Sequence, residues 1–313
     1  MSPSVAQHFA GPPEWTWYIL FYFFLAGLAG GSYAIATLLR LRGEPADEPA
    51  ARLGYYVALP AMIICPLLLA LDLSRPERFW HMLWNTSPGA ASLNFKHWSP
   101  MSVGSWALVA FGAVATVSFV EVLVRDRVIR VGLADRAVRL LDGTPGKALN
   151  AIGALLGLFI AGYTGVLLSV SNQPVWSDTW ALGGLFLASG LTGSAALLIL
   201  LCRLRAPARD SIGALEVSER LYALLEIALI VVFALTLIPA GTLGEVFGFP
   251  WILLWLVALA GLAPGLGSLA TVRLATTETG TVPVAVTRTV VAQPALVLLG
   301  VLALRAVIIF SIQ

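Results

Sequence analysis

Asp72 opens the densest polar stretch of the chain, Leu71-Asp72-Leu73-Ser74-Arg75-Pro76-Glu77-Arg78-Phe79-Trp80. One carboxylate stands beside two guanidiniums, and Pro76 is expected to stop the preceding helix, because it lacks a backbone donor and restricts the residue before it. Such a corner could hydrogen-bond a quinone carbonyl and exchange its proton. It could equally be a capping ion-pair network among Asp72, Arg75 and Glu77. Three more ionisable residues, Glu121, Glu226 and Arg305, fall inside apolar runs. A charge at a bilayer centre costs at least ~2.5 kcal/mol on insertion scales, so each needs a reason. Glu121 has Arg125 one turn later, the spacing of a helical ion pair. Glu226 has Arg220 and Tyr222 nearby but no cation four residues on, which leaves a polar bundle interior or a proton relay. Arg305 is expected to snorkel outward.

Metal chemistry finds little support in the chain. The three histidines, His8, His81 and His97, fall outside the apolar runs, whereas a membrane di-haem protein needs axial His within its helices. Cys65 and Cys202 lie inside apolar runs and form neither a CxxC nor an iron–sulfur ligand set. The expectation is no haem and no iron–sulfur cluster in this chain, so that electron transfer requires a diffusible organic cofactor and an external partner.

The elements that carry these residues follow from composition. Of 313 residues, 58% are hydrophobic and 12% charged, with a mean hydropathy of +0.87, which excludes a water-soluble globular domain. Eight apolar runs, at about 17–40, 53–73, 101–124, 148–170, 181–203, 219–240, 250–271 and 289–312, are long enough to span a bilayer as helices. They lack the alternation of a β-barrel. The expected fold is therefore an all-α polytopic membrane bundle of eight spans. Met1 to Glu14 holds no Lys or Arg, so it lacks a signal-peptide n-region, and the first run is read as a retained span. The net charge of +2, dispersed over short loops, gives no nucleic-acid footprint.

Basic residues set the orientation. One set of alternate loops holds 15 of the 19 Lys and Arg, from Arg40 and Arg42 through Arg125, Arg127, Arg130, Arg136 and Arg139 to Arg273 and Arg288. The other side has Arg75, Arg78 and Lys96, with Arg305 near the end of the last run. Both termini are expected outside. The outer connection from Ser74 to Ser99 gathers Trp80, Trp84, Trp98, Phe79, Phe95, His81 and His97, either as interfacial anchors or as a partner-docking or ligand-mouth surface. A weak repeat relates Phe24–Gly30 with Arg40-Leu41-Arg42 to Phe186–Gly193 with Arg203-Leu204-Arg205. It divides the chain into halves at 1–175 and 176–313, unless these are only the small residues that recur at helix contacts.

The stretch Leu71 to Trp80, with Ser99-Pro100-Met101-Ser102 and Trp106, resembles the NrfD-type family, the membrane subunits typified by polysulfide reductase. Gly27-Leu28-Ala29-Gly30-Gly31 and Tyr163-Thr164-Gly165-Val166-Leu167-Leu168-Ser169 are similar to that family's signatures at the corresponding places. The resemblance implies a haem-free quinone-reactive subunit of the bacterial or archaeal cytoplasmic membrane, with menaquinone favoured. A ferredoxin-like iron–sulfur subunit would dock at the outer face, on Arg75, Glu77, Arg78 and Trp80, beside a molybdenum-dependent or multihaem catalytic subunit. By position, Tyr22, Asp72 and Tyr163 would hold the headgroup, with Arg75 and Trp17 around it and His97 as outer proton acceptor. Asp72, Glu121 and Glu226 would form any proton relay. The chain departs from some members at Tyr22, where they place His, and at Ile19, where they place an amide. Two rival classes are a secondary transporter without redox function and a purely structural anchor for the iron–sulfur subunit. A topology reporter fused at Gln313 should read outside and one inserted between Asp126 and Gly143 inside; the reverse would overturn the orientation.

Overall fold

The computed structural model describes residues 13–87, 89, 92–271 and 284–313. His8, Arg273 and the segment Met1–Pro12 lie outside the described residues. About 79% of the chain is helical. Four long helices, α1 (Trp17–Arg42), α2 (Glu48–Asp72), α3 (Pro100–Arg125) and α5 (Thr144–Ser169), occupy the first half of the sequence. Another four, α6 (Leu182–Leu204), α7 (Ile212–Leu237), α9 (Ile252–Thr271) and α10 (Val284–Phe310), follow. Short helices α4 (Gly132–Arg139) and α8 (Leu243–Phe247) lie in connections. Among the described residues, seven helices are long and apolar enough to cross a membrane. The eighth expected span corresponds to α9, whose described apolar stretch runs Ile252–Leu266. The protein is a multi-pass integral membrane protein.

The helix ends follow local chemistry. Thr16 caps α1 by accepting from the Tyr18 amide at 3.4 Å, and Gly43 closes it in a left-handed conformation with φ of 77°. Ser99 caps α3, with Pro100 at the first helical position. Arg127, just beyond α3, takes a left-handed φ of 59° where the chain turns toward α4. The helix before Pro76 ends at Asp72, within a residue of the expected run at 53–73, and Pro76 opens a 3-10 turn, Pro76–Met82, for which its fixed φ and missing donor are suited. One expected boundary moves. Helix α7 begins at Ile212, well before the apolar run at 219, because Glu216 is paired with Arg203 at 3.3 Å and extends the helix into a polar region.

Helix α1 is enclosed by α2, α5, α6 and α10, and its small residues are the reason. In lipid, helices gain little from burying apolar surface, so close backbone approach and interhelical hydrogen bonds must hold them together. A methyl group added at Gly30 would collide with the Gly157 carbonyl of α5, and one at Gly190 of α6 would lie 3.1 Å from the Gly27 Cα. Ser194 of α6 donates to the carbonyls of Leu28 at 3.2 Å and Gly27 at 3.5 Å. At the opposite end from the Asp72 corner, Ser211 and Asp47 meet at 2.7 Å, tying the turn before α7 to the turn before α2. Replacing Gly30 by Val should destabilise the protein by about 1–3 kcal/mol through overpacking. Gly112→Ala, with nothing within 4 Å of the new methyl, should leave thermal unfolding in detergent unchanged or raise it. Equal midpoints for Gly30→Val and the parent chain would refute the close-packing account.

Candidate functional site

The Asp72 corner is assembled from four helix ends. Helix α2 delivers Asp72 at its last residue, α1 starts at Trp17, α3 starts at Pro100 and α5 ends at Ser169. The half-buried Asp72 side chain hydrogen-bonds Thr16, the residue that caps α1. The corner therefore joins α2 to α1, and the alternative capping network does not form: among the described residues no ion pair links Asp72 with Arg75 or Glu77. Arg75, before Pro76, lies outside the helical region at φ −137° and ψ 82°, and the 3-10 turn carries Glu77, Arg78, Phe79 and Trp80 outward as exposed side chains.

Tyr22 lies one and a half turns into α1 and is 2% exposed. Its ring packs at 5.3 Å from Phe23, and the Cys65 thiol of α2 approaches its backbone carbonyl at 3.9 Å. The Tyr22 hydroxyl has no hydrogen-bond partner among the described residues, although Tyr163 is close enough to act on it electrostatically. A phenol with no acceptor in place can donate to an oxygen of a bound ligand.

Tyr163 is also buried, but its hydroxyl is already engaged: it donates to the Pro100 carbonyl at the start of α3. Its ring lies against Gly104, where any Cβ would strike it, and stacks on Phe159 at 5.5 Å. The structure thus brings Tyr22, Tyr163 and Asp72 to one end of the α1, α2, α3 and α5 group. Trp17 is exposed and packs on Tyr18 at 4.1 Å. His97 stands apart: it is exposed, its ring is edge-on to Trp98 at 4.9 Å, and among the described residues no bond joins it to Asp72 or either tyrosine.

The outer connection is folded and mostly exposed. Trp84–Asn85 pairs antiparallel with Ser92–Leu93, and the Asn94 carbonyl accepts from Trp106 Nε1 at 3.1 Å and Ser102 Oγ at 3.3 Å. These bonds fasten the connection to α3. Phe79, Trp80, Trp84, Phe95 and Trp98 remain exposed, Trp98 to 70%.

Two charge clusters elsewhere were only partly visible in the sequence. At the inner end, Glu121 does pair with Arg125 at 2.8 Å, but it also receives Arg40 of α1 at 3.1 Å. Arg40 in turn binds Glu48 at 3.0 Å and lies 4.6 Å over the Tyr55 ring. A cleft of about 320 Å³ opens onto this cluster. Above it, Thr37 meets the Tyr55 hydroxyl at 3.2 Å, and Tyr33 meets Ser118 at 2.6 Å. Neighbours three or four residues apart are legible in a sequence; Arg40, eighty-one residues before Glu121, is not.

The second cluster corrects the expectation for Arg305. Instead of snorkelling, its side chain is 0% exposed and points into the bundle. The guanidinium donates to Ser189 Oγ at 2.7 Å and to the carbonyls of Phe23, Phe186 and Val301 at 3.2 Å. Five fixed donors can satisfy several carbonyls at once, and Gly27 leaves the room, since a Cβ there would lie 2.7 Å from Arg305 Nη2. Glu226 of α7 is the facing carboxylate: it is buried, hydrogen-bonds Thr192, and lies within electrostatic reach of Arg305, with Oε2 unpartnered. Among the described residues no three His, Cys, Asp or Glu side chains cluster as a metal-ligand set.

A family model described as "Polysulphide reductase, NrfD" matches residues 5–313. The chain is 26% identical over 215 residues to Protein NrfD of Escherichia coli (strain K12), covering 66% of this chain and 64% of that protein. It is 28% identical over 187 residues to the C component of the polysulfide reductase of Wolinella succinogenes, covering 57% and 55%. A stretch of 77 residues is 30% identical to the C component of the selenate reductase of Mesobacillus selenatarsenatis, covering 25% of this chain and 18% of that one. The chain spans less than two thirds of the length of the first two relatives.

Removing the buried guanidinium leaves the carbonyls of Phe23 and Phe186 and the Ser189 hydroxyl without their donor, so Arg305→Met should destabilise the protein by about 1–3 kcal/mol. Adding Glu226→Gln in the same chain should recover part of that loss in a double-mutant cycle read by thermal unfolding. Strictly additive losses would show that the two side chains do not interact.

Proposed function

The chain belongs to the polysulphide reductase, NrfD family, and from that premise we propose that it is the quinone-reactive membrane subunit of a reductase complex. Two of its relatives are named as one lettered component of a polysulfide reductase and of a selenate reductase, which describes enzymes built from several polypeptides. The observation that carries the quinone reading is the largely buried Tyr22 side chain, for whose hydroxyl the described residues supply no acceptor, at the end of the bundle where Asp72 and Tyr163 also lie.

A quinone, menaquinone in the favoured case, supplies two-electron chemistry coupled to two protons when bound. Tyr22 donates its phenolic proton as a hydrogen bond to a headgroup oxygen, a task a neutral hydroxyl performs at lower burial cost than a charge. Asp72, held by Thr16 and half-open to solvent, gives or takes a proton at its carboxylate. Tyr163 would flank a bound headgroup, and its bond to Pro100 fixes the wall between α5 and α3. Trp17 and Arg75 flank the mouth, and the exposed His97 passes protons to bulk water. Of the two carboxylates considered for an inward relay, Glu226, with an unpartnered oxygen, is better placed than Glu121, whose oxygens two arginines occupy.

The same reading gives the chain eight spans, with α9 as one of them, both termini outside, and halves at 1–175 and 176–313. Arg75, Glu77, Arg78 and Trp80, with the exposed aromatic surface around them, form the dock for a ferredoxin-like iron–sulfur subunit. A molybdenum-dependent or multihaem catalytic subunit completes the complex in the cytoplasmic membrane of a bacterium or archaeon.

Purification in mild detergent should yield an iron–sulfur partner and about one quinone per chain. In that complex Tyr22→Phe and Asp72→Asn should each lower quinol turnover about tenfold or more, the worth of a hydrogen bond to a charged or charging group. Tyr163→Phe should lower it as well. Intact turnover in Asp72→Asn and Tyr163→Phe would remove the site assignment, and a lone chain without quinone would favour a transporter.

A further inference from the structure

The inner connection between α3 and α5 has a surface that the quinone reading does not use. A cleft of about 320 Å³ lies between the ends of α2 and α3 and the short helix α4, and four arginines line it: Arg52, Arg125, Arg127 and Arg139. Three are committed. Arg52 pairs with Asp126 and with Glu48 at 2.9 Å, Arg125 with Asp142 at 2.7 Å, and Arg127 loosely with Asp135 at 3.7 Å. Arg139 has no ion-pair partner among the described residues, and neither does Arg136, one turn before it. Residues three apart share a helix face, so both cations stand on the polar side of α4 with Asp135. Val138 beside them is buried and lines the cleft with Arg139.

Apolar side chains surround this basic face. Val128 is 67% exposed, Val131 56% and Leu140 76%, although the connection holds some of the most polar sequence in the chain. Water around a charged loop gives no reason for three large exposed aliphatics. A membrane surface does, because a basic amphipathic helix lies in the interface plane with its apolar residues in the acyl boundary and its cations at the headgroups. Exposed aliphatics, uncompensated arginines and an arginine-lined cleft of headgroup size occur within one connection of a bundle that spans the membrane.

We propose that this connection binds an anionic phospholipid, its headgroup phosphate held by Arg139 at the cleft and by Arg136, one turn before it and outside the cleft lining, and its acyl chains running past Val128, Val131 and Leu140. The occupant is a lipid, not free phosphate, because the apolar residues at the rim have no role toward an inorganic ion. Guanidiniums suit the headgroup, since their planar donor forks match phosphate oxygens in pairs. The binding is independent of quinone chemistry and holds whichever proteins assemble on the opposite face.

The test uses the full chain, purified with whatever partners accompany it and washed in detergent doped with either phosphatidylglycerol or phosphatidylcholine, with retained lipid counted by native mass spectrometry. Phosphatidylglycerol should be retained over phosphatidylcholine. R136A/R139A should weaken its retention about thirty-fold, since each surface cation contributes on the order of one kcal/mol. Both arginines are exposed, so the variant folds, and Arg209→Ala, an exposed cation at the same end but outside the cleft, should retain lipid like the parent. Unchanged retention in R136A/R139A, or equal retention of the two lipids, would overturn the site. Displacement of the lipid by millimolar inorganic phosphate, with Val128→Ser and Leu140→Ser having no effect, would overturn the lipid assignment in favour of a simple anion site.

Discussion

Hydrocarbon offers neither water for an unpaired polar group nor a strong drive to bring apolar helices together. Everything the protein holds at membrane depth depends on how closely α1 can be approached. Gly27, Gly30 and Gly31 give α1 a face without side chains, against which α5 sets Gly157 and α6 sets Gly190 and Ser194. That face does more than pack. The vacancy at Gly27 admits the Arg305 guanidinium, and the carbonyl at Phe23 accepts one of its bonds. The same helix carries Thr16 and Tyr22 toward the outer end and Arg40 toward the inner one. The candidate site, the buried arginine and the inner ion-pair cluster are therefore three attachments to one helix.

The two ends of the bundle differ in where their charges go. At the Arg40 end a connected network forms: Arg40 with Glu48 and Glu121, Arg52 with Glu48 and Asp126, Arg125 with Glu121 and Asp142, and Tyr56 donates to Asp126 at 2.7 Å. Pairs that are partly open to solvent contribute modestly one by one, but a connected network restrains four helix ends at once. Arg136 and Arg139 of α4 stand outside it. At the Asp72 end, Arg75 and Arg78 have no acidic partner among the described residues, and the aromatic rings of the connection are exposed. Charges left outside the networks are where a ligand or a partner gains by arriving.

How much of this was legible depends on whether the relevant signal is local. The long helices follow from apolar run length, and their ends from Gly43, Ser99 and Pro100, because hydropathy and capping are properties of consecutive residues. The Glu121–Arg125 pair is legible for the same reason. Arg305 misleads. Four residues of apolar sequence separate it from the helix end, which suits snorkelling, and only the missing Cβ at Gly27, 278 positions earlier, shows that it can turn inward. The Asp72–Arg75–Glu77 spacing likewise suggested a network that Pro76 prevents, since it keeps Arg75 outside the helical region and sends Glu77 and Arg78 along a 3-10 turn away from the helix axis. Tyr22 and Tyr163 were both legible as buried phenols. That one hydroxyl is engaged and the other is not depends on where Pro100 falls in space.

That difference between two tyrosines also decides how their roles divide. A phenol bonded to the Pro100 carbonyl gives up a hydrogen bond before it can donate to anything else, so Tyr163 is suited to hold a wall in place and to offer its oxygen as an acceptor. Tyr22 gives up no hydrogen bond among the described residues when an acceptor arrives. Asp72 differs in being half-open to solvent, away from the bilayer centre where a new charge is costly. In the proposed reading, one free donor, one fixed wall and one solvent-facing carboxylate serve a proton-coupled apolar carrier, each from a different helix at the same corner.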